Sequence, residues 1–272
     1  MMISACSVAR RRCWEGIAAM ATPDLTVTRG EVSVVEIHRP PNNYLDHSLV
    51  RELADALQAL AASDTRAVVL CSEGKNFCAG ANLRRRDPSA IKSEGTHLYD
   101  EALRCFEQDL PIVAAVQGSA VGAGLGLALL ADFRVGAPET RWAANFARLG
   151  FHQGFGISLT LPRVVGQQHA YDLLFTGRRV EGQEAFRIGL CDRLVGQHEL
   201  LPAAHALAEE IAESAPLAIR SIRATLRAHF LSSLRGVVAA EREAQEALAR
   251  TADFREGVAA VAERRRPAFR GL

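Results

Sequence analysis

Two short stretches of small residues carry the strongest chemical signal in this 272-residue chain, and they carry it on their backbones. The first is "NFCAGANL" (76–83). The second is "VGAGLG" (121–126), inside the longer run "GSAVGAGLGLALLADFRVG" (118–136). Glycine inside a helix costs about 1 kcal/mol relative to alanine, so Gly118, Gly122, Gly124 and Gly126 crowded ahead of "LALLA" require a physical reason. The usual reason is close approach of another group to the main chain. A small-residue turn from strand to helix exposes N–H groups at a helix N-terminus, where the dipole favours negative charge. One such turn is ordinary packing; two in one α/β layer are positioned to converge on a single oxygen and stabilise charge developing there. Ala79, Gly80 and Gly122 are the small residues that would let a ligand reach these amides.

Side chains of the right type near these turns are few. His152, in "GFHQGFG", lies in a loop with Gly150, Gly154 and Gly156. Histidine is a side chain suited to proton transfer as acid or base, with a hydrogen bond to a turn carbonyl as the competing role here. Asn145 could orient a water or a carbonyl, or turn the backbone. Cys78 is either a thiol activated near a helix N-terminus or a small packing residue, and packing is the expected role. Arg84, Arg85 and Arg86 follow the first turn and are either phosphate ligands or a solvated run. His97, Tyr99 and Asp100 are expected on a solvated helix face.

These residues need strands and helices to hold them. "LTVTRGEVSVVEIHRP" (25–40) reads as two β-rich runs around Arg29-Gly30, a hairpin signal. "SLVRELADALQALAA" (48–62) has helical spacing, with Ser48 as its expected N-cap. "AVVLCSE" (67–73), "PIVAAVQG" (111–118) and "DFRVGAP" (132–138) read as strands, with a polar helix around 96–108. Strand and helix alternating over short connections predict an α/β layer with parallel pairing. From Leu200 onward the pattern is helical, divided at Pro216, with apolar stripes that need burial. Residues 1–22 are Arg-containing with one acid, Glu15, and are set apart as a disordered or mis-started extension. The expected units are therefore 1–22, a core over 23–199 and a helical region over 200–272.

Composition excludes several classes. Lys and Arg number 32 against 31 Asp and Glu, which supports no nucleic-acid-binding face. No apolar run approaches membrane-spanning length, so no membrane partner is expected. The cysteines (6, 13, 71, 78, 105 and 191) form no C-x-x-C pair and no Cys/His zinc spacing, so free thiols and no metal are expected.

The motifs and their order resemble the crotonase superfamily, the enoyl-CoA hydratases and isomerases, from about Leu25 to Phe269. "GKNFCAGANL" (74–83) and "AAVQGSAVGAGLGLALLADFRV" (114–135) are similar to the family's first two motifs. "LPRVVG" (161–166), "TGRRVEGQEAFRIGLCDRLV" (176–195) and "ADFREGVAAVAERRRPAF" (252–269) are similar to later landmarks in order. The resemblance implies a spiral of ββα turns, a C-terminal helical trimerisation region giving a homotrimer or dimer of trimers, and an acyl-CoA thioester ligand. CoA enters as part of the substrate, and no separate cofactor is implied. It assigns the paired oxyanion-hole amides to Ala81 and Ala123, and the phosphate reading of Arg84 would then mean the CoA phosphates, with a solvated run as the alternative. The two family glutamates fall on Gly126 and, counting from Asp132 without gaps, on Phe146, which suggests an apolar acyl pocket.

The implied activity is an acyl-CoA enzyme of the hydratase/isomerase type with both usual carboxylates absent and His152 as the replacement acid/base. Two alternatives remain open: a thioester or C–C bond hydrolase using a histidine, and a non-catalytic acyl-CoA-binding protein. A cytoplasmic rather than mitochondrial location is expected.

Overall fold

The computed structural model describes residues 19–82, 92–93 and 96–272. Arg84 to Arg86, the candidate phosphate ligands, lie outside the described residues.

The chain enters its main sheet through a hairpin. Strands β2 (Leu25–Thr28) and β3 (Val32–Ile37) pair antiparallel, with Val27 opposite Val35, so the apolar alternation of both runs falls on the core face. The sheet begins earlier than residue 23. Strand β1 (Ala19–Ala21) pairs antiparallel with β2, with Met20 opposite Val27. Backbone hydrogen bonding to an open strand edge makes no demand on composition, which is why an Arg-rich, acid-poor leader gave no sign of it.

From β3 onward the chain winds as a spiral of strand, short strand and helix. Strands β4 (Ala67–Ser72), β7 (Ile112–Val116), β9 (Phe133–Gly136) and β12 (Arg193–Leu194) extend the main sheet in parallel, in the order β1-β2-β3-β4-β7-β9-β12. A hairpin of β5 (Lys92–Ser93) and β6 (Thr96–His97) stands apart from it. A second sheet runs beside the first: β8 (Ser119–Val121), β10 (Arg141–Ala143) and β11 (Arg179–Glu181), with β8 and β10 parallel. Single bridges continue this ladder backward, Cys78 to Ala120 and Leu45 to Ala81. Successive turns of the spiral thus place 78–81 and 119–121 side by side.

Helices close the turns. Helix α1 (His47–Ala61) is capped by Asp46, whose carboxylate accepts the Leu49 N–H at 3.0 Å. The expected cap, Ser48, lies inside the helix and donates to Glu52. Asp46 prevails because its extended φ/ψ aims an oxygen back at the first turn. Helix α2 (Leu98–Glu107) starts on a capping box of His97 and Asp100. Its first turn is not a solvated face: His97 and Tyr99 are buried, and only Asp100 is exposed. Helix α3 (Ala123–Leu130) is apolar all round and buried. Helices α4 (Ile157–Val165), α5 (Gln167–Thr176) and α6 (Gly182–Arg187) complete this region.

The helical tail comprises α7 (Leu200–Ala212), α8 (Pro216–Leu248) and α9 (Ala252–Glu263), with Pro216 in the first turn of α8 as its position predicted. Helix α7 lays Leu200, Ala204, Leu207 and Ala208 on the sheet face made by Val34, Val69, Val113, Ala115 and Val135. The opposite face carries the larger core with α1, α2 and α3. Residues 200–212 therefore cover the sheet that the 23–199 segment builds. Among the described residues no helix, including the 33-residue α8, is long and apolar enough to cross a membrane.

Both sheet faces depend on these helices, so a chain ending at residue 199 should expose the Val34–Val69–Val113 face and aggregate. Size-exclusion chromatography of that truncation would check this, and a monodisperse, folded monomer would refute it.

Candidate functional site

The site is built where the 78–81 segment meets the start of α3. Their backbones are laced together: Cys78 N–H donates to Ser119 O at 3.0 Å, and Val121 N–H donates to Cys78 O at 3.1 Å. The contact is too close for any side chain. A methyl group added at Gly124 would stand 2.1 Å from Cys78 O, which explains the glycine in the middle of "VGAGLG". At Gly80, whose φ is +87°, an added methyl would stand 2.7 Å from Val121 O and 3.7 Å from Ala123 N. Gly122 turns the chain into α3 at φ +56°, ψ −121°, a conformation that costs other residues heavily.

Most amides here are occupied. Ala79 N–H donates to Asn42 O, Gly122 N–H to Ala143 O, and Leu45 N–H takes the carbonyl of Gly80. The N–H groups of Ala81 and Ala123 donate to no acceptor among the described residues. Ala81 is exposed and Ala123 half-buried, with the latter at the head of α3 where the dipole is positive. Two open donors on adjacent turns of the spiral can hold an oxygen that gains charge during a reaction.

Asn145 and Phe146 form the neighbouring wall. A methyl at Gly122 would meet Asn145 Oδ1 at 3.6 Å and the Phe146 ring at 3.8 Å. Phe146 is buried, while the half-buried Asn145 amide has no hydrogen-bond partner among the described residues. Asn145 is therefore free to bond a ligand or water beside the Gly122 turn.

Gly126 lies one helical turn further in, and it is filled from the other side. A Cβ there would collide with Phe155, at 2.8 Å from its Cβ and 3.0 Å from Cδ1. Phe155 is fully buried and holds φ +62°, a left-handed conformation unusual for an aromatic residue. Its ring takes the volume that a side chain at 126 would need.

The strained loop is fixed by α8. Glu241, 1% exposed, accepts the N–H groups of Gly156 at 2.7 Å and Ser158 at 2.8 Å at the start of α4. Gln245 donates to His152 O at 2.8 Å and accepts the Tyr99 hydroxyl at 2.6 Å. The Tyr99 oxygen sits so close to Gly154 that an added methyl would overlap it at 1.9 Å. Burial pushes the Tyr99 hydroxyl pKa upward, so it stays a neutral donor. Phe155 and Glu241 were invisible as functional residues in the sequence: one reads as core, the other as one acid among many on a polar helix.

His152 lies outside the amide pair. Its Nδ1 is 2.7 Å from Gln153 O, and because a carbonyl only accepts, that nitrogen carries the proton. In the neutral ring this leaves Nε2 as the basic nitrogen. The residue lines a cavity of about 270 Å³ with Phe151, Ser158, Tyr171 and Phe175, and neither Ala81 nor Ala123 borders that cavity. Cys78 is fully buried and its thiol is pushed up to about 12 by desolvation, so it is a packing residue and no nucleophile. The described part of the C-terminal arginine run is partly spoken for: Arg265 pairs with Glu256 and Glu263 within the chain.

Comparison with known proteins agrees with this architecture. The family described as enoyl-CoA hydratase/isomerase matches residues 28–271. An enoyl-CoA isomerase/hydratase of Zymoseptoria tritici is 36% identical, over 89% of this chain and 84% of its own length. A crotonyl-CoA hydratase of Syntrophomonas wolfei is 33% identical, over 92% of this chain and 99% of its own. The crystal structure of an enoyl-CoA hydratase/isomerase from Pseudoalteromonas atlantica superposes with a TM-score of 0.84 at 31% identity, covering 91% of this chain and all of that one. With the two adjoining sheets, the paired turns and a family match across nearly all of its length, this chain belongs to the enoyl-CoA hydratase/isomerase family of the crotonase superfamily.

Proposed function

We propose that this protein binds an acyl-CoA thioester with its carbonyl on the amides of Ala81 and Ala123 and stabilises the enolate formed there. The observation that carries this reading is the pair of open N–H groups on adjacent turns of the spiral. As charge moves onto the thioester oxygen, both donors strengthen without reorganising, and the dipole of α3 adds to them. Phe146 offers an apolar wall for the acyl group, and Asn145 a polar group beside it. No separate cofactor enters this scheme.

Enolate chemistry also needs proton transfer at the α- and β-carbons. Gly126 and Phe146 stand where the resemblance puts the two glutamates, and Phe155 leaves no room for a carboxylate at 126. The proton carrier in this reading is His152, whose Nδ1–H bond to Gln153 O turns the basic Nε2 outward. A one-histidine arrangement also suits the hydrolysis of a thioester or C–C bond, and a protein without any carrier would only bind.

Apolar residues on α8, Leu217 (80% exposed), Ile222 and Leu226, together with Phe175 on α5, support assembly into a trimer or dimer of trimers. Light scattering should give about three or six times 29.4 kDa, and a monomer would refute it.

Incubation with crotonyl-CoA and longer enoyl-CoAs separates the chemical readings: a 3-hydroxyacyl or isomerised product, free CoA, or tight binding without turnover. Crotonyl-CoA hydration should run about 10²- to 10⁴-fold below that of a two-glutamate relative, since a single acid/base group carries that much rate. Whatever turnover is found should be lost in His152→Ala while acyl-CoA affinity is kept. Full turnover in that variant makes the histidine structural.

Ala123→Pro removes one donor at the first residue of α3, a position where proline is tolerated because the N–H is unpaired within the helix. It should cost about 10²-fold or more in turnover and weaken an enolate analogue in parallel, with circular dichroism unchanged. Unaltered affinity in a folded variant would remove the amide assignment.

A further inference from the structure

Away from the amide pair, α8 carries an arginine cluster whose charge the chain does not balance. Four of the helix's arginines hold carboxylates: Arg220 with Asp109, Arg223 with Asp132, Arg235 with Glu107 and Arg242 with Glu246. Arg227, one helical turn beyond Arg223, has no hydrogen bond or ion pair among the described residues. Its guanidinium lies 5.3 Å from the centre of the buried Phe230 ring, and Arg163 from the last turn of α4 lies 5.4 Å from the same ring. Arg163 also lacks a carboxylate partner among the described residues, and it is exposed.

Arg223 is 8% exposed and only partly satisfied. Its Nε reaches both oxygens of Asp132 at 2.9 and 3.0 Å, and Nη1 donates to Gln108 O at 2.7 Å. Its Nη2 is buried with no acceptor, as is Nη1 of Arg227. Asp132 is shared further, since it also accepts the Ile112 N–H. Asp132 thus bonds Arg223 and attracts Arg227, while Arg163 adds a further positive charge beside Arg227, so one carboxylate stands against three guanidinium groups. Burial, with Arg223 and Arg163, pushes the Arg227 pKa down to about 10, and the attraction of Asp132 offsets this only in part.

A folded chain keeps buried guanidinium N–H groups paired, and planar N–H forks match tetrahedral or carboxylate oxygens. Phe230 meets two of the guanidinium groups by ring contact, which uses none of their N–H groups as donors to an oxygen. The half-buried Arg227 and exposed Arg163 leave the cluster open to solvent, while Asp132 fixes Arg223 as its rigid back wall. We propose that Arg163, Arg223 and Arg227 form a binding site for a small divalent oxyanion of the phosphate or sulfate class, separate from the acyl-CoA site. It does not rest on the enolate reading: the arginines stand on α4 and α8 and their carboxylate follows α3.

Calorimetric titration of the full chain with inorganic phosphate, at constant ionic strength set by chloride, tests it. One phosphate per chain should bind in the wild type, and sulfate should compete. Arg163→Gln changes an exposed residue, and should weaken binding about tenfold or more without altering the unfolding midpoint in chloride. Arg227→Gln should do the same, and by removing an uncompensated charge it should raise that midpoint. Saturating coenzyme A should leave the phosphate titration unchanged; competition between them would overturn a separate site and give the arginines to CoA. Absence of phosphate binding would overturn the proposal outright. If the arginine variants then lowered the oligomer's mass by sedimentation, the cluster would be an interface between copies of the chain.

Discussion

The structure depends on one close approach, the backbone of Cys78 against the backbone of Ser119 to Gly124. Two hydrogen bonds and a glycine with no room for a methyl hold these segments together. Everything that makes the candidate site chemical follows from that register. Slipping either turn by one residue would exchange an occupied amide for an open one, because pairing along a strand alternates. The main sheet enforces the register at a distance: β4 and β7 are paired Val68 to Ile112, and the segments that follow them arrive side by side. The apolar strands are thus the device that aims two N–H groups, and α3 adds its dipole to one of them.

A second constraint acts on the far side of α3. Gly126 and Phe155 are one packing decision, since an aromatic ring against a helix needs a residue without a side chain. The cost is a phenylalanine in the left-handed region, of the order of 1–3 kcal/mol, and neighbours must over-determine it. They do: Glu241 bonds the N–H groups of Gly156 and Ser158, directly after the strained residue, and Gln245 and Tyr99 hold the chain before it. Helix α8 thereby fixes the loop that carries His152. Any side chain at 126 would have to displace the Phe155 ring.

Legibility in the sequence followed the range of the interactions. The paired glycine turns, the buried strands and the helix break at Pro216 were readable because each is a local demand on residue type. The motif order carried the family. What could not be read were partnerships across the chain: Phe155 with Gly126, Glu241 with the start of α4, Asp132 with Arg223. His97 and Tyr99 were misplaced on a solvated face because the helical pattern of "LYDEALRCFE" has a polar stripe that continues into them, while burial of that first turn comes from elsewhere, from Gln245 and the Gly154 loop. Ser48 and Asp46 are both good caps by type, and only backbone geometry separates them. Strand β1 had no compositional mark, as its contribution is main-chain pairing alone.

These constraints divide the labour between backbone and side chain. In the proposed reading, charge stabilisation is left to main-chain amides, which cannot be lost by substitution other than proline and need only small residues around them. Proton transfer, the part that side chains must perform, falls in the proposed reading to a group on a different element. The amides are held by the two sheets, and the 150–158 loop by α8. The carbonyl of Gln153 that fixes the His152 tautomer belongs to that same loop, so the geometry of α8 against α4 sets the direction of the only nearby imidazole among the described residues of the loop. In the proposed reading the chemistry is therefore tuned through α8, far along the chain from the glycine turns that would hold the charge.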